Sequence, residues 1–480
     1  MRRIEEPSQE SLTEFINSLG NQPIDLEIRF AITADHSPAH LLFRKGLADP
    51  TPAMNIVAAA PKLTAQSFAS LGPPVLACDR LALVEAMNRG ATIVFLDDQP
   101  PFGVPTPAWV KRQPSEPLIE RSIRGPYRAF TEDIFDNLAM LRRILPDTDL
   151  SAEALTIGKR TKTRTALVFL RDVANPDLIR ETQRRLENVA LDGITDPGPI
   201  EELIQDRPWT PFPLTQSTER PDKVVGFLLE GRLAVFIDNC PRVIVLPVSL
   251  NDLYQAPDDY YFNFWSGCMI RSIRFLGSLV AVALSGLYIA LIGSSPQLLP
   301  ITLGLEIAGL RVGMPLPLSM EVIITELVVE LFREAGLRLP RGVNVTMGVS
   351  TGILVGFALI MTGYISVPTL IVVGVSAIAS FSTPTFSVGF TWRVLKYLLI
   401  FAATLLGYYG FILGTVLILA HVASLSSFGS PYTAPWGPFQ LSGIYDSLIR
   451  APHRFRKGRP LIAKPLQETR QDESSHSDQD

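Results

Sequence analysis

"GATIVFLDDQP" (Gly90–Pro100) and "GRLAVFIDNCP" (Gly231–Pro241) share the pattern G-x-x-x-V-F-[LI]-D-[DN]-x-P. The β-branched and aromatic residues before the acids suit a buried strand. The Asp-Asp or Asp-Asn pair tolerates turn geometry, and the proline after it stops pairing. One strand met twice with the same ending predicts two related α+β units. Around the second copy, "RTALVFL" (Arg164–Leu170) reads as a strand and "NPDLIRETQRRLENVAL" as a helix with Pro176 near its start. "PGPIEELIQD" reads as a short helix, and "RVIVLPV" as the strand that answers 231–237. In "TEDIFDNLAMLRRIL", Ile134, Leu138, Leu141 and Leu145 recur at helical spacing, which predicts an amphipathic connector between the units. The proline-rich stretches "DDQPPFGVPTPAW" and "DRPWTPFPLTQ" are expected to be loops.

The chain of 480 residues exceeds the usual single-domain size, and its charge is uneven along it. Up to Trp265 charged residues come every few positions, whereas 275–423 carries few. The net charge of -4 is too small to suggest nucleic acid, and the "DESSHSDQD" ending reads as a solvated, disordered tail. Cys78, Cys240 and Cys268 have neither metal spacing nor an even count, so reduced thiols are expected, with no metal and no cofactor. The N-terminus lacks the apolar core of a signal peptide, which predicts a cytosolic soluble part.

No catalytic pattern stands out: there is no G-x-S-x-G, no P-loop, no G-x-G-x-x-G after a strand, and the five histidines are not clustered. The reading is therefore not an enzyme. Asp97, Asp98 and Asp238 sit where turn residues belong, with paired catalytic carboxylates as the minor alternative. "GKRTKTR" (Gly158–Arg164) reads as a solvated strand-entry loop, with attraction for phosphate or acidic lipid as the alternative.

A spanning helix needs roughly 20 mostly apolar residues. Phe275–Gly293, Val343–Gly363 and Tyr397–Ala420 qualify, and Val367–Phe390 is long enough but is broken by Pro384 among serines and threonines. Recurrent small residues favour close helix packing. Arg271 and Arg274 before the first span, and "RAPHRFRKGRP" after the last, place both termini in the cytosol and favour an even number of crossings. Arg333, Arg338, Arg341, Arg393 and Lys396 fit no simple scheme with these spans. The expected fold is thus a multi-domain one. An N-terminal soluble α/β part of two related α+β subdomains, 1–120 and 121–265, precedes an all-α polytopic membrane domain, 266–425, of four to six segments. A cytosolic basic segment and acidic tail occupy 426–480.

One stretch does not fit a membrane. In "EVIITELVVELFREAGLRLP" (Glu321–Pro340), Pro315 and Pro317 precede a helix, Ser319 can cap it, and Gly336 with Pro340 stops it. From Met320 to Ala335 it would be about 24 Å long, short for a crossing. Glu321 belongs to the first turn, while Glu326, Glu330 and Glu334 fall on one arc about 80° wide. Three ionised carboxylates facing lipid would cost roughly 8 to 10 kcal/mol, so this stripe must meet water, a partner or an ion path. An acidic ring repeated by symmetry would concentrate cations.

"YYFNFWSGCMIRSIRFLGSLVAVALSGLYIAL", "ELVVELFREAGLRLPRG", "SAIASFSTPTFSVGFTWRVLKYLLI", "HVASLSSFGSPYTAP" and "DSLIRAPHRFRKGRP", in this order, resemble the GerA-type spore germination proteins, specifically their A subunit. "SIRGPYRAFTEDIFDNLAMLRRIL" and "EGRLAVFIDNCP" are similar too, so the resemblance runs from about Arg121 to Pro460. It departs at Tyr127 and Arg128, and the first 120 residues match only through "GATIVFLDD". The resemblance implies a multi-pass subunit of a nutrient germinant receptor in the inner membrane of an endospore, working with a transporter-like B-type subunit and a C-type lipoprotein. It also implies self-association into a ligand-gated channel for monovalent cations, with Glu326, Glu330 and Glu334 on the family's acidic helix. The alternative is a secondary transporter for a small solute, motivated by the breaks at Pro315, Pro317 and Pro384.

Overall fold

The computed structural model describes residues 12, 15–16, 19, 23–34, 36–59, 75–76, 80–96, 99–108, 117, 120, 124–338, 352–353, 356–439, 443, 446–447, 450 and 458–470. Cys78, Asp97, Asp98, most of the expected span Val343–Gly363 and the acidic tail lie outside them.

The two copies of the opening motif occupy equivalent places in two five-stranded antiparallel sheets. The first contains β1 (Leu26–Ile32), β2 (Pro38–Arg44), α1 (Thr51–Ala59), β3 (Val75–Leu76), α2 (Arg80–Asn88), β4 (Ala91–Leu96) and β5 (Gln99–Pro105), with strand order β1-β2-β4-β5-β3. After α3 (Ile134–Ile144), the second contains β6 (Leu150–Ile157), β7 (Thr163–Leu170), α4 (Pro176–Glu187), α5 (Gly198–Ile204), β8 (Gln216–Thr218), α6 (Pro221–Leu228), β9 (Leu233–Ile237) and β10 (Val243–Leu246). Its order, β6-β7-β9-β10-β8, repeats the first. The motif strands β4 and β9 lie in the middle of their sheets.

Each motif position has the same job in both units. Gly90 and Gly231 stand at φ +94° and +81°, where a helix turns directly into its strand and a side chain would be strained. Phe95 and Phe236 point to the face covered by the preceding helix, α2 or α6. Val94 and Val235 point to the opposite face, covered by α1 or by α4 and α5. Helices cover both faces, so the motif strand is apolar throughout and does not alternate. Asn239 takes a left-handed φ of 64° in the turn after β9, as its Asp-Asn pair predicts.

One expectation needs correction. The proline-rich stretch after Asp98 is strand β5, paired with β4 and β3. A register shift between Val94 and Leu96 accommodates Pro100 and Pro101, which lack an N–H, and β3 pairs only with Phe102 and Gly103. The connector α3 lies between the units as its spacing predicts: Ile134, Leu138 and Leu141 are buried against the second sheet. Asp133 caps it by accepting from Phe135 N at 2.7 Å and Asp136 N at 3.2 Å. Its other face holds the first unit, where Arg142 and Arg44 both bind the buried Asp25, at 2.6 and 2.8 Å.

A buried ion pair also fastens the motif strand to the helical part. Arg232, next to Gly231, donates two hydrogen bonds to Asp252, at 2.6 and 2.8 Å. Asp252 in turn closes a capping box with Ser249 at the start of α7 (Leu250–Tyr254). After α8 (Asp258–Tyr261), Asn263 caps α9 (Phe264–Tyr288), which continues π-helical over Ile289–Ser294. This helix therefore begins well before the expected Phe275. Arg271, fully buried, and Arg274 both bind Asp259 where it leaves the sheets.

Of the helices that follow, α10 (Ile301–Leu310), α11 (Leu318–Arg338), α12 (Val367–Ser380) and α13 (Phe386–Ala423) are described from end to end, and residues 356–361 are also helical. Their directions follow from side-chain contacts. α9 leads away from the sheets to Ser294. α11 returns, since Leu318 lies by Gly293 and Glu326 by Ser285. α12 starts at the far end, with Thr369 by Tyr288, and comes back with Ser376 bonded to Ala281 O. The chain thus leaves α11 near the sheets and re-enters at Ser366 at the far end.

α13 is not one rod. Gly407 stands at φ 60°, ψ −137°, outside the helical region, and the two arms fold back on each other. Gly414 faces Leu399 across the hairpin, and a methyl group at Gly410 would run into the Ala402 carbonyl oxygen. Tyr408 N donates to Ser294 Oγ at 3.0 Å, which fixes the turn at the far end. The expected span Tyr397–Ala420 is therefore split between arms 386–406 and 408–423, about 31 and 24 Å long. Among the described residues, the helix 264–294 and the folded stretch 386–423 are long and apolar enough for a membrane by length and composition.

Two outcomes test this architecture. Burial alone would raise the Asp25 carboxyl, but Arg142 and Arg44 outweigh it and bring it from the ordinary 3.8 to about 2. A depressed carboxyl gives stability that is complete above the ordinary value and is lost as pH falls through the folded one. Urea titrations should show wild type losing about 2 kcal/mol between roughly pH 4 and pH 2 that Asp25→Asn does not lose. Equal losses would disprove the clamp. For the hairpin, Gly410→Ala should lower the melting temperature of the detergent-solubilised chain by several degrees, while Gly374→Ala, in open space, should not.

Candidate functional site: the charged helix of the bundle

α11 is 21 residues long, about 31 Å, not the sixteen expected. Pro317 starts it, because its carbonyl accepts from Met320 N and Glu321 N at 3.0 and 3.1 Å, while Ser319 lies inside the first turn. Pro315 lies just before that start. Pro384 lies in the break 381–385 between α12 and α13.

The four glutamates differ by depth. Glu321, which the periodicity leaves off the stripe, is fully buried and collects four donors from three places in the chain. Arg311 reaches one oxygen at 2.9 Å, while Ser366 N, Ser366 Oγ and Thr369 Oγ1 reach the other at 3.2, 2.8 and 2.9 Å. It ties the loop after α10 and the start of α12 to α11. Glu326, also buried, accepts from Ser285 Oγ at 2.6 Å and Lys396 Nζ at 2.5 Å, joining α11 to α9 and α13. Glu330 is partly exposed and binds Arg393 at 2.6 Å and Arg333 at 3.3 Å. Glu334, with 57% of its side chain exposed, binds only the still more exposed Arg338 among the described residues.

The arginines of this ladder lean on aromatic rings. Arg333 lies 4.9 Å from the centre of Phe381 and donates to Ser380 Oγ at 2.8 Å, and Arg393 lies 5.0 Å from Phe390. The four carboxylates therefore face five cations, Arg311, Arg333, Arg338, Arg393 and Lys396. An apolar bundle can hold these charges only as pairs. The stripe Glu326, Glu330, Glu334 is real as a row, but it is graded from a locked inner member to an open outer one.

The sequence misses the partners more than the stripe. Arg393 and Lys396 carry a signal, two cations one turn apart at the head of an apolar run. Ser285, Ser366 and Thr369 carry none, since hydroxyls are common in such helices. Outside the bundle, Asp238 behaves as a turn residue, its N–H bonded to Arg164 O at 3.0 Å. Lys159, Arg160 and Lys162 sit exposed on the β6–β7 hairpin, at the end of the sheet remote from the helices, so bilayer contact there is not supported. Cys240 is buried, which pushes its thiol up. Between the two sheet units, Asn88, Arg89, Arg142 and Arg143 line a cavity of about 260 Å³, with Arg142 held by Asp25 and Asn88 by Arg44.

The chain matches the sequence family described as Bacillus/Clostridium GerA spore germination protein over residues 77–462. It is 39% identical over 370 residues to Spore germination protein A1 of Bacillus subtilis (strain 168), covering 77% of each chain. It is 36% identical over 350 residues to the B. subtilis protein called Uncharacterized membrane protein YfkQ, covering 73% of this chain and 68% of that one. Among solved structures, the N-terminal domain of the A subunit of the Bacillus megaterium spore germinant receptor GerK3 is similar at 29% identity and a TM-score of 0.40, over 51% of this chain and 97% of that chain. With a match through both sheets' motif strands and the whole helical part, the chain belongs to the Bacillus/Clostridium GerA spore germination protein family.

Proposed function

We propose that this chain is the membrane subunit of a spore germinant receptor, one that couples nutrient sensing to the release of monovalent cations as part of an oligomeric ligand-gated channel. The soluble units are 1–120 and 121–265, and the helices of 266–425 sit in the inner membrane of the endospore. Its working partners are further copies of itself, a transporter-like B-type subunit and a C-type lipoprotein. It is not an enzyme.

The observation that carries this reading is α11, a charged helix lying lengthwise in a bundle whose outer surface is apolar. Glu330 and Glu334 are the members open enough to meet a cation or a second copy, while Glu321 and Glu326 hold the helix in place. In the closed pairing the row is neutralised by its arginines, so conduction requires Glu330 and Glu334 to exchange those partners when the assembly opens. Orientation follows from charge: Arg271, Arg274, Arg333, Arg338 and Arg393 lie in the half of the bundle nearer the sheets, Lys396 sits near mid-bundle beside Glu326 and Ser285, and Arg311 lies at the far end. On that count the positive end, with the sheets and both termini, belongs in the cytosol.

The test is conductance of the full chain in liposomes. Glu334→Gln should lower selectivity for potassium over chloride severalfold with assembly unchanged, and Glu330→Gln should act in the same direction. Glu326→Gln should instead reduce the yield of folded protein, because it leaves Lys396 buried without an anion. Unchanged selectivity in the first two variants would remove α11 from the ion path. Saturable uptake of a small solute without cation leak would favour a transporter.

A further inference from the structure

The loop that follows α5 rides up the flank of the helix bundle. Arg207 donates to Ser424 Oγ at 3.0 Å, Thr210 Oγ1 pairs with His421 Nε2 at 2.9 Å, and Thr391 Oγ1 donates to Pro211 O at 2.5 Å. Phe212 packs edge-on against Trp392, with ring centres 5.5 Å apart. These ties set the depth of the loop. It lies beside residue 391 of one α13 arm and residue 421 of the other.

From that level onward the outer face of α13 is apolar. Phe386, Phe390 and Val394 on the first arm, and Leu419 and Leu417 on the second, all face outward. Between the two anchored ends of the loop, Trp209 is 97% exposed. A scattered exposed Leu needs no explanation, but a Trp with its whole indole in water is costly, and Trp and Tyr collect where a bilayer meets water. Prolines 208, 211 and 213 hold the loop stiff, and its residues share the wall of a cavity of about 420 Å³ with Phe386 and Phe390. The residues on either side of Trp209, Pro208 and Thr210, therefore adjoin the apolar surface of α13, and the indole stands out beside it.

We propose that this loop of the second sheet unit is a bilayer contact, with Trp209 seated at the boundary between lipid headgroups and acyl chains. The soluble part is then held to the membrane at two points, through the α7–α9 joint and through Trp209. This rests on the membrane reading of the bundle, and the test separates the two.

The full chain is reconstituted in nanodiscs of phosphatidylcholine brominated either high or deep in the acyl chain. The chain has five tryptophans, so the difference between wild type and Trp209→Phe isolates residue 209. Shallow bromines should quench that component at least about twofold more than deep ones, as an interfacial indole requires. A mid-bundle reporter, Leu413→Trp in the Trp209→Phe background, lies two helical turns deeper than His421 on the same arm and should be quenched more by the deep bromines. If residue 209 keeps a red, unquenched emission while the reporter is quenched, the loop contact is wrong and the membrane reading stands. If the reporter is unquenched as well, both fall. Because Trp209 packs against nothing, its replacement leaves folding intact, and an unchanged melting temperature of Trp209→Phe verifies this.

Discussion

The pairing of Glu326 with Lys396 is the constraint on which the helical half depends. Neither group can be buried alone in an apolar bundle, and the cost of separating them forces α11 and the first arm of α13 into one register. Ser285 adds the third side and sets the depth of α9 against both. Glu321 does the same work at the far end, where it brings Arg311 and the start of α12 to α11. Dispersion and small residues let these helices approach closely, but apolar surfaces slide past one another at little cost. Two buried carboxylates with fixed partners remove that freedom.

The same device connects the layers of the molecule. Asp25 joins the two sheet units, Asp252 joins the motif strand to the helical joint, and Asp259 anchors the base of α9. Each is an acid buried between arginines or beside one from another segment. A continuous chain of contacts thus runs from β9 through Arg232, Asp252 and α7 to the base of α9. Such a route is what a receptor subunit requires if events in its soluble part are to reach its bundle.

The duplicated sheet shows why the motif survives in two diverged copies. A helix that ends in a left-handed glycine, followed at once by a central strand with valine to one side and phenylalanine to the other, fixes the layer order of a whole unit. The unit then needs only edge strands, which tolerate irregularity. β5 accepts prolines because its bulge and short partner leave those positions without a ladder bond to make.

The sequence by itself determined the local and periodic features. These are the motif strands, the helix start at Pro176, the row of three glutamates, the division between a charged half and an apolar half, and the family. Each depends on neighbours within a few positions or on a long, specific resemblance. Tertiary structure decided what depends on distant residues. It showed that Gly407 reverses a run of apolar residues that reads as a single span, because one glycine among many carries no local mark of its φ and ψ. It showed which sheet the apolar face of α3 covers, because an amphipathic face does not name what it faces. It also separated Glu326 from Glu334, which are equivalent on a helical wheel. Only the arrival of Lys396 and Ser285 from other helices makes the first a fixed structural pair and leaves the second open to a partner.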